Sequence, residues 1–264
     1  MRSLFFSVLA VLASVSVTAA RAQDAYISMF GVFHNPGDQH DFTFDLNRSV
    51  SSSETLRFQT FAYAGGTNAA GTTFPGGGID SVLQLFDSGG APHGVNDDIF
   101  PPANRDSLLT WPGVVGTGIP ISPDPLTAGS YRLNLSEFNN DDAGDWAVDL
   151  VAPANAFVFR GSSAIGSSEL DALTAGNGAQ VLFDGSYSVN GVQGLHARSG
   201  ADIVITSYLD IGTTTDGVMS IQGSGTTLST NTVGSTFLDW GKSGGEATVS
   251  IGDLATATFG ATHV

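Results

Sequence analysis

Apolar and polar residues alternate in short segments through the first 151 residues of the chain. Phe42, Phe44 and Leu46 fall on one face of an extended segment, and Leu83 and Leu85 do the same in another. A period of two over four to eight residues indicates a half-buried β-strand. The pattern predicts strands at residues 26–33, 40–46, 55–62, 81–86, 131–135 and 146–151.

Turn signals and a proline-rich segment separate these strands. Asp87-Ser88-Gly89-Gly90 follows the strand at 81–86 directly and predicts a tight turn. Residues 99–125 contain six of the ten prolines. Proline cannot donate to a strand ladder, so this segment is predicted to be a long loop with at most one strand.

The second part of the chain contains an internal repeat. Leu209-Asp210-Ile211-Gly212 recurs as Leu238-Asp239-Trp240-Gly241, and Val218-Met219-Ser220-Ile221 recurs as Thr248-Val249-Ser250-Ile251. Short strands repeated at this period indicate a solenoid, because one repeat cannot bury its apolar face alone. Residues 161–201 are less regular and are predicted to hold the first coils or a cap, with one helical turn at 167–173.

Four ordered motifs carry a resemblance to a known family. They are YAGGTNAAG, GGGIDSVLQLFDSGG, NDD and LTAGSYRLNLSEFNN, within about residues 25–151. Together they resemble a domain of secreted bacterial proteins, many with PEP-CTERM sorting tails, which is similar to the bacterial pre-peptidase C-terminal β-sandwich. The resemblance implies a jelly-roll-like sandwich that serves as a binding module or as a spacer, and it implies no catalytic activity.

The repeats resemble those of autotransporter passengers and PEP-CTERM proteins, which form right-handed parallel β-helices. The expected fold is therefore all-β, a jelly-roll-like β-sandwich followed by a partial right-handed parallel β-helix. Residues 152–155, Ala-Pro-Ala-Asn, are the predicted boundary. The expected parts are a signal peptide at 1–22, a sandwich at 23–152 and an incomplete solenoid at 153–264.

Residues 1–22 have the pattern of a Sec signal peptide. Arg2 supplies a positive charge, residues 4–17 form an apolar stretch that is short for a membrane span, and Ala20-Arg21-Ala22 is a small-residue cleavage site. The alternative is a buried N-terminal helix. Cleavage after Ala22 predicts an exported protein, at the cell surface or outside the cell, that begins near Gln23.

The charge balance narrows the classes of partner. The net charge is −16, and cleavage removes two arginines and no acid, which gives −18. A chain this acidic repels phosphate backbones and anionic lipid, so a nucleic-acid partner is not expected. Cysteine is absent from the sequence, which excludes disulfides and thiolate metal sites. Acidic extracellular surfaces suit calcium.

Candidate calcium ligands are concentrated in the loops of the first part. Calcium takes six to eight oxygen ligands, which loops that meet at one end of a sandwich could supply. The alternative is that these residues make Asx-turns and keep the loops soluble. The candidates are Asp80, Asn96, Asp97, Asp98, Asp106 and Asp141, with Asn139, Asn140 and Asp142 beside them.

Ligand binding is expected in place of catalysis. Trp111 lies in the proline-rich segment and is the candidate ring for a glycan, whereas Trp146 and Trp240 lie in strand patterns typical of a core. Lys242 is the only lysine, and the five histidines lack metal-site spacing. The expected role is structural or adhesive. The alternative is an accessory module of a polysaccharide-degrading lyase or hydrolase, or a degenerate form of one.

The last residues, 258–264, read as the strand of another coil with no recognisable cap. An uncovered coil exposes unpaired backbone groups and an apolar end. Either the sequence is a fragment of a longer product, which the small number of legible repeats favours, or the open end pairs with a second copy of the chain.

Overall fold

A computed structural model describes residues 24–51, 54–111, 126–139, 141–161, 170–185, 187–189, 191–207, 209–212, 216–230, 238–240 and 246–258. These residues form twenty-two β-strands and no helix, so the all-β prediction is confirmed. The described residues include no helix long and apolar enough to span a membrane. The predicted signal peptide lies outside the described residues.

The strands of the first part match the alternation in the sequence. All six predicted strands are confirmed, as β1, β2, β3, β6, β9 and β10. One strand, β8, lies in the proline-rich segment, of which residues 112–125 are outside the described part. The strands are β1 Ala25–Phe33, β2 Gln39–Leu46, β3 Leu56–Thr60, β4 Gly66–Thr67, β5 Thr73–Phe74, β6 Ser81–Asp87, β7 Pro92–Asn96, β8 Leu108–Trp111, β9 Gly129–Glu137, β10 Gly144–Ala152 and β11 Phe157–Gly161.

Eleven strands follow in the second part of the chain. The helical turn predicted at 167–173 is wrong for Leu170–Leu173, which belong to β12, because Leu173 and Ala175 alternate into the core as strand residues do. The strands are β12 Leu170–Gly176, β13 Gln180–Phe183, β14 Tyr187–Val189, β15 Gly191–Arg198, β16 Asp202–Ile205, β17 Leu209–Ile211, β18 Gly217–Gln222, β19 Thr227–Thr230, β20 Leu238–Trp240, β21 Ala247–Gly252 and β22 Thr256–Thr258.

Two large sheets run through both parts of the chain. The eight-stranded sheet has the order β21-β18-β15-β12-β1-β10-β3-β8, and the nine-stranded sheet has the order β22-β19-β16-β13-β11-β2-β9-β6-β7. Pairing among β1–β10 is antiparallel, and pairing from β12 onward is parallel. The antiparallel pair of β1 with β12 joins the two parts in one sheet, and β11, antiparallel to β2 and parallel to β13, joins them in the other. Neither sheet is interrupted at the predicted boundary.

An aromatic core lies between the two sheets in the first part. Phe44 of β2 is 5.3 Å from Phe58 of β3, and Phe42 of β2 is 5.8 Å from Trp146 of β10, measured between ring centroids. All four rings are buried. Burial of each large apolar side chain contributes about 1.5–3 kcal/mol, so these contacts between sheets are a main source of stability.

The second part repeats one three-strand unit, here called a rung. Rung 1 is β12–β14, rung 2 is β15–β17, rung 3 is β18–β20, and rung 4 is β21–β22. Equivalent strands pair in parallel, and β14, β17 and β20 form a third sheet. The repeat residues seen in the sequence pair in register, Val218 with Thr248 through Ile221 with Ile251. Inward residues therefore stack in columns, such as that of Leu173, Leu195 and Met219.

Two buried carboxylates hold the segment that crosses the outer face of the eight-stranded sheet, here called loop 60–79. Asp149 has no exposed surface, and it accepts hydrogen bonds from Ser28 Oγ at 2.6 Å and from the Ala69 amide at 2.6 Å. Asp106 accepts from the amides of Tyr63 at 2.8 Å and Ala64 at 3.0 Å. Burial raises the pKa of both carboxyls.

These raised pKa values predict a protein that becomes more stable as the pH falls from 7.5 to 5. The folded chain holds the protons of Asp149 and Asp106 more tightly than the unfolded chain does. The free energy of unfolding therefore falls as pH rises from the ordinary carboxyl pKa of about 4 through the raised values. Glu54, whose pKa is lowered to about 2 by Arg48, has the opposite effect only below that window.

Calorimetry in chelator should give a higher melting temperature at pH 5 than at pH 7.5. Asp149→Asn should reduce that difference, because it removes one titrating group, and Asp24→Asn at an exposed position should leave it unchanged. Equal or lower stability at pH 5 would contradict the account.

Candidate functional site

Acidic residues from three loops meet at one end of the nine-stranded sheet, here called the acidic end. Strand β6 lies between β9 and β7 and is antiparallel to both, with Ser81 opposite Glu137 and Leu83 opposite Asn96. The start of β6 therefore lies beside the ends of β7 and β9. This topology brings together Asp80, Asp97, Asp98, Glu137, Asp141 and Asp142.

A small cavity of about 200 Å³ lies at the acidic end. Asp80 Oδ2 accepts a hydrogen bond from Arg105 Nη1 at 2.8 Å. Asp98 Oδ1 is buried and has no hydrogen-bond partner among the described residues. Burial is the main cause that raises the pKa of Asp80 and of Asp98, and the charge of Asp97 adds to both shifts. The cavity is lined by Asp80, Asp97, Asp98, Pro101, Pro102, Arg105 and Phe138.

A second group of carboxylates lies next to this cavity. Glu137, Asp141 and Asp142 each place a carboxylate oxygen within 4.8 Å of the others. Glu137 is buried and accepts a hydrogen bond from the Asp141 amide at 2.8 Å, and burial raises its pKa. Asp141 also raises the pKa of Asp80 through its charge, so the two groups share one electrostatic environment.

Two of the predicted calcium ligands have other hydrogen-bonding partners. Asn96 Oδ1 accepts from the Leu108 amide at 2.7 Å, and Asp106 binds the loop amides described above. Both side chains are buried and hold distant backbone amides in place, so they form neither a calcium site nor the local Asx-turns of the alternative. The remaining candidates with free carboxylate capacity are Asp80, Asp97, Asp98 and Asp141. Asn139 has a left-handed φ of 68°, and Asn140 lies outside the described residues.

The oxygen-rich part of the acidic end fits a hard divalent cation in donor type and charge. Six carboxylates lie in or beside the cavity, and an unpartnered buried oxygen such as Asp98 Oδ1 is a group that a cation would satisfy. Arg105 opposes this, because its guanidinium already neutralises Asp80. Among the described residues, the carboxylates that converge to within 4.8 Å of one another are those of Glu137, Asp141 and Asp142, so these three would hold the ion.

A larger cavity of about 660 Å³, here called the loop cleft, lies between loop 60–79 and the start of β10. Phe74 stacks on Phe30 of β1 at 5.3 Å, which closes one side. Phe61, Ile79 and Trp146 lie along the interior, and Thr72, Thr73, Asp142 and Asp145 supply polar groups. Asp142 and Asp145 are exposed, so they lie at the mouth.

The glycines of the sequence motifs shape this cleft. A Cβ at Gly78 would lie 2.5 Å from the Ala62 carbonyl oxygen, and one at Gly76 would lie 2.8 Å from that of Ala64. These distances are shorter than van der Waals contact, so only glycine allows the two backbone segments to pair. The Gly78 amide donates to the Ala62 oxygen at 2.8 Å as a result.

The chemistry of the loop cleft suits a ligand with both apolar and hydroxyl-bearing faces. Aromatic rings offer flat apolar surfaces, and carboxylates and threonine hydroxyls accept or donate hydrogen bonds at the rim. The net charge of −16 disfavours anionic ligands. Sequence reasoning missed this cleft because its lining comes from β1, the loop and the start of β10, which no local pattern connects.

The tryptophan predicted to face a ligand does not do so. Trp111 is only 2% exposed, lies in β8, and contacts Phe58 with ring centroids 6.0 Å apart. The prediction that Trp111 faces a ligand is wrong, because the alternation of β8 turns this side chain into the core although the residues around the strand are rich in proline. Trp146 is buried, as its strand pattern indicates. The side chain of Trp240 lies outside the described residues.

No protein-family model matches the chain, and a comparison with curated proteins finds no match either.

The carboxylates of the acidic end predict that calcium stabilises the protein. A ligand at a hundredfold excess over its Kd, bound only by the folded chain, adds about 2.7 kcal/mol to the free energy of unfolding. For a chain of this size that corresponds to about 5–10 °C in Tm. Thermal melts in millimolar calcium and in chelator should differ by this amount.

Asp141→Asn should remove most of the calcium effect, because it takes one carboxylate from the cluster of Glu137, Asp141 and Asp142, whereas Asp24→Asn should retain it. If the wild-type melts in calcium and in chelator coincide, the acidic end holds no calcium.

Proposed function

We propose that the protein is a secreted, non-enzymatic structural or adhesive protein of the cell envelope or extracellular matrix that binds neutral glycans in the loop cleft. The observation that carries the proposal is the cleft itself, where Phe30 and Phe74 form an aromatic wall opposite the carboxylates of the rim. A neutral sugar has apolar ring faces for the phenylalanines and hydroxyls for Asp142 and Asp145. Export through the segment at residues 1–22 places the protein where such glycans occur.

The architecture that we propose is a jelly-roll-like β-sandwich joined to a right-handed parallel β-helix. The sandwich is supported by the antiparallel pairing of β1–β10 and by ring contacts between the two sheets. The helix is supported by three parallel ladders that repeat rung by rung. Right-handedness follows from general behaviour, since about 98% of crossovers between parallel strands of one sheet are right-handed.

The resemblance to pre-peptidase C-terminal domains belongs to the same proposal. Its motifs supply the glycine-dependent loop of the cleft and the loops of the acidic end, through Gly76, Gly78, Asp80 and Asp98. A domain whose motif residues shape loops is suited to bind a ligand or to act as a spacer. Loop positions are where binding residues concentrate on a rigid scaffold.

The outer faces of the rungs favour adhesion over catalysis. One outward column reads His196, Ser220 and Ser250, in register with the buried Thr174, and another reads Gln180, Asp202, Thr227 and Thr256. Short hydroxyl and amide side chains form a flat polar surface. A lyase groove would need acids close to basic residues, and a hydrolase groove would need a pair of carboxylates, whereas these columns offer one histidine and one aspartate.

Binding is tested by isothermal titration of the protein with neutral oligosaccharides selected on a glycan array. Phe74→Ala should weaken binding about tenfold, or about 1.4 kcal/mol, because it removes half of the aromatic wall. Asp145→Asn tests the polar rim in the same way. Phe100→Ala is the matched control, since that ring is 69% exposed and lies outside the cleft.

Three outcomes would contradict the proposal. The first is the absence of neutral ligands from the array, and the second is equal loss of affinity in the Phe74 and Phe100 variants. The third is release of new reducing ends or unsaturated sugars from a polysaccharide. That result would support the alternative, an enzyme or its accessory module.

A further inference from the structure

An exposed apolar surface, here called the Phe-Pro patch, lies at the acidic end. It consists of Phe100, Pro101, Pro102 and Phe138, all of which are exposed. The two prolines and Phe138 line the small cavity, and Phe100 adjoins them in the chain. The two rings are 69% and 42% exposed. Single exposed apolar residues are ordinary, but a contiguous apolar surface with a polar rim marks an interaction site.

The loop between β7 and β8, which carries most of the patch, is braced by its own backbone. Phe100 and Asn104 exchange two backbone hydrogen bonds, of 2.9 Å and 2.8 Å, and the Ile99 amide donates to the Asp106 carbonyl oxygen at 2.7 Å. The Asp106 side chain is buried and bound to the amides of loop 60–79. A surface fixed in this way binds a partner with less loss of entropy than a mobile loop would.

Carboxylates surround the patch without a matching number of cations. Among the described residues that line the cavity, Arg105 alone carries a positive charge, and it is paired with Asp80 at 2.8 Å. Asp98 Oδ1 is buried in the cavity wall and has no hydrogen-bond partner among the described residues. Six carboxylates against one guanidinium leave a surplus of five negative charges. The carboxylates are Asp80, Asp97, Asp98, Glu137, Asp141 and Asp142.

Carboxylates beside an apolar surface fit an organic cation, because a metal ion needs oxygen donors alone. A guanidinium group binds a carboxylate through two parallel hydrogen bonds and also stacks on an aromatic ring. The cavity of about 200 Å³ is smaller than the roughly 300 Å³ that the smallest ligand pockets offer, so it admits one side chain. Phe100 lies outside the cavity, so a ligand that covers the whole patch must extend beyond that side chain.

Arg105 already shows how the acidic end holds a guanidinium. It donates to Asp80 Oδ2 at 2.8 Å, and its Cζ lies 5.6 Å from the centroid of the Tyr63 ring. Asp97 and Asp98 form no ion pair with a described residue, and Phe138 lines the same cavity. Burial, followed by the charges of Asp80 and Asp97, raises the pKa of Asp98, so a second guanidinium beside Asp98 would relieve an excess of negative charge.

We propose that the acidic end is a docking surface for a basic segment of another protein. The segment places an arginine side chain in the cavity, against Asp97 and Asp98, and an adjacent apolar residue on the rings of Phe100 and Phe138. Charge complementarity argues for this occupant, since the net charge of −16 steers a basic segment towards the protein. The docking surface does not depend on glycan binding in the loop cleft, and the carboxylate cluster predicted to hold calcium lies beside the cavity.

Fluorescence anisotropy with a labelled peptide tests the docking surface, in chelator so that calcium does not compete. The probe carries one arginine on each side of a phenylalanine, and both of its ends are blocked. The control peptide has citrulline in place of each arginine, which keeps the shape of the side chain and removes its charge. The arginine peptide should bind saturably, and the citrulline peptide should bind at least about tenfold more weakly, because it forms no charge-assisted hydrogen bonds.

Variants of the protein separate the cavity from the general charge of the surface. Asp98→Asn should weaken binding of the arginine peptide about tenfold, because it removes a carboxylate that faces the guanidinium. Phe138→Ala and Phe100→Ala should each weaken it severalfold through the patch. Asp24→Asn removes an exposed carboxylate elsewhere, Leu254→Ala removes a side chain that is 85% exposed in rung 4, and both should leave the affinity unchanged. Thermal melts show that each variant is folded.

Several results would overturn the proposal. One is the absence of saturable binding at millimolar arginine peptide, as when other residues of the same chain cover the patch. Another is equal affinity for the citrulline peptide, which would indicate an apolar site without charge recognition. Equal weakening by Asp24→Asn and Asp98→Asn would indicate general attraction to an acidic protein. Unchanged binding in both phenylalanine variants would exclude the Phe-Pro patch from the site.

Discussion

The pairing of β1 with β12 and of β2 with β11 is the constraint on which the rest of the structure depends. A rung of three short strands buries too little to fold alone, and rung 1 obtains its first partner from β1, where Ile27 lies opposite Ala175. In the other sheet Phe44 lies opposite Phe159, and β11 passes the ladder on to β13. The aromatic core of the first part therefore acts as the template and cap on which the parallel rungs stack.

The sequence predicts those parts of the fold that depend on local periodicity. Strand β2 alternates clearly from Phe42 to Leu46, and the repeat in rungs 3 and 4 has the register in which the structure pairs these strands. Trp111 was misjudged, because nearby prolines suggested a loop while a four-residue strand buries its ring. The burial of Asp149 could not be predicted either, because an acid that alternates with apolar residues indicates a solvent-facing position. It is instead covered by loop 60–79, from eighty residues earlier in the chain.

The candidate sites divide in the same way, into features that a local pattern predicts and features that depend on distant segments. Short motifs pointed to the acidic end because its residues adjoin strand ends that the topology brings together. Even so, they could not separate Asp98, which lines a cavity, from Asp106, which binds backbone amides. The loop cleft required three distant segments and glycines at which any Cβ would collide with a carbonyl. Both sites lie on loops of the first part, while the rungs supply a polar outer surface, an arrangement in keeping with a protein that binds and spaces.

The measurement that tests this account most directly is native-state hydrogen exchange of β12 and β13 compared with β1 and β2. If the shared ladders make the first part the template for the rungs, the amides of all four strands should open together, with the same free energy and the same denaturant dependence. The contradictory result is exchange of β12 and β13 in a separate, lower-energy opening while β1 and β2 remain protected. The rungs would then be an appended unit with their own stability, and the junction would not be the basis of the fold.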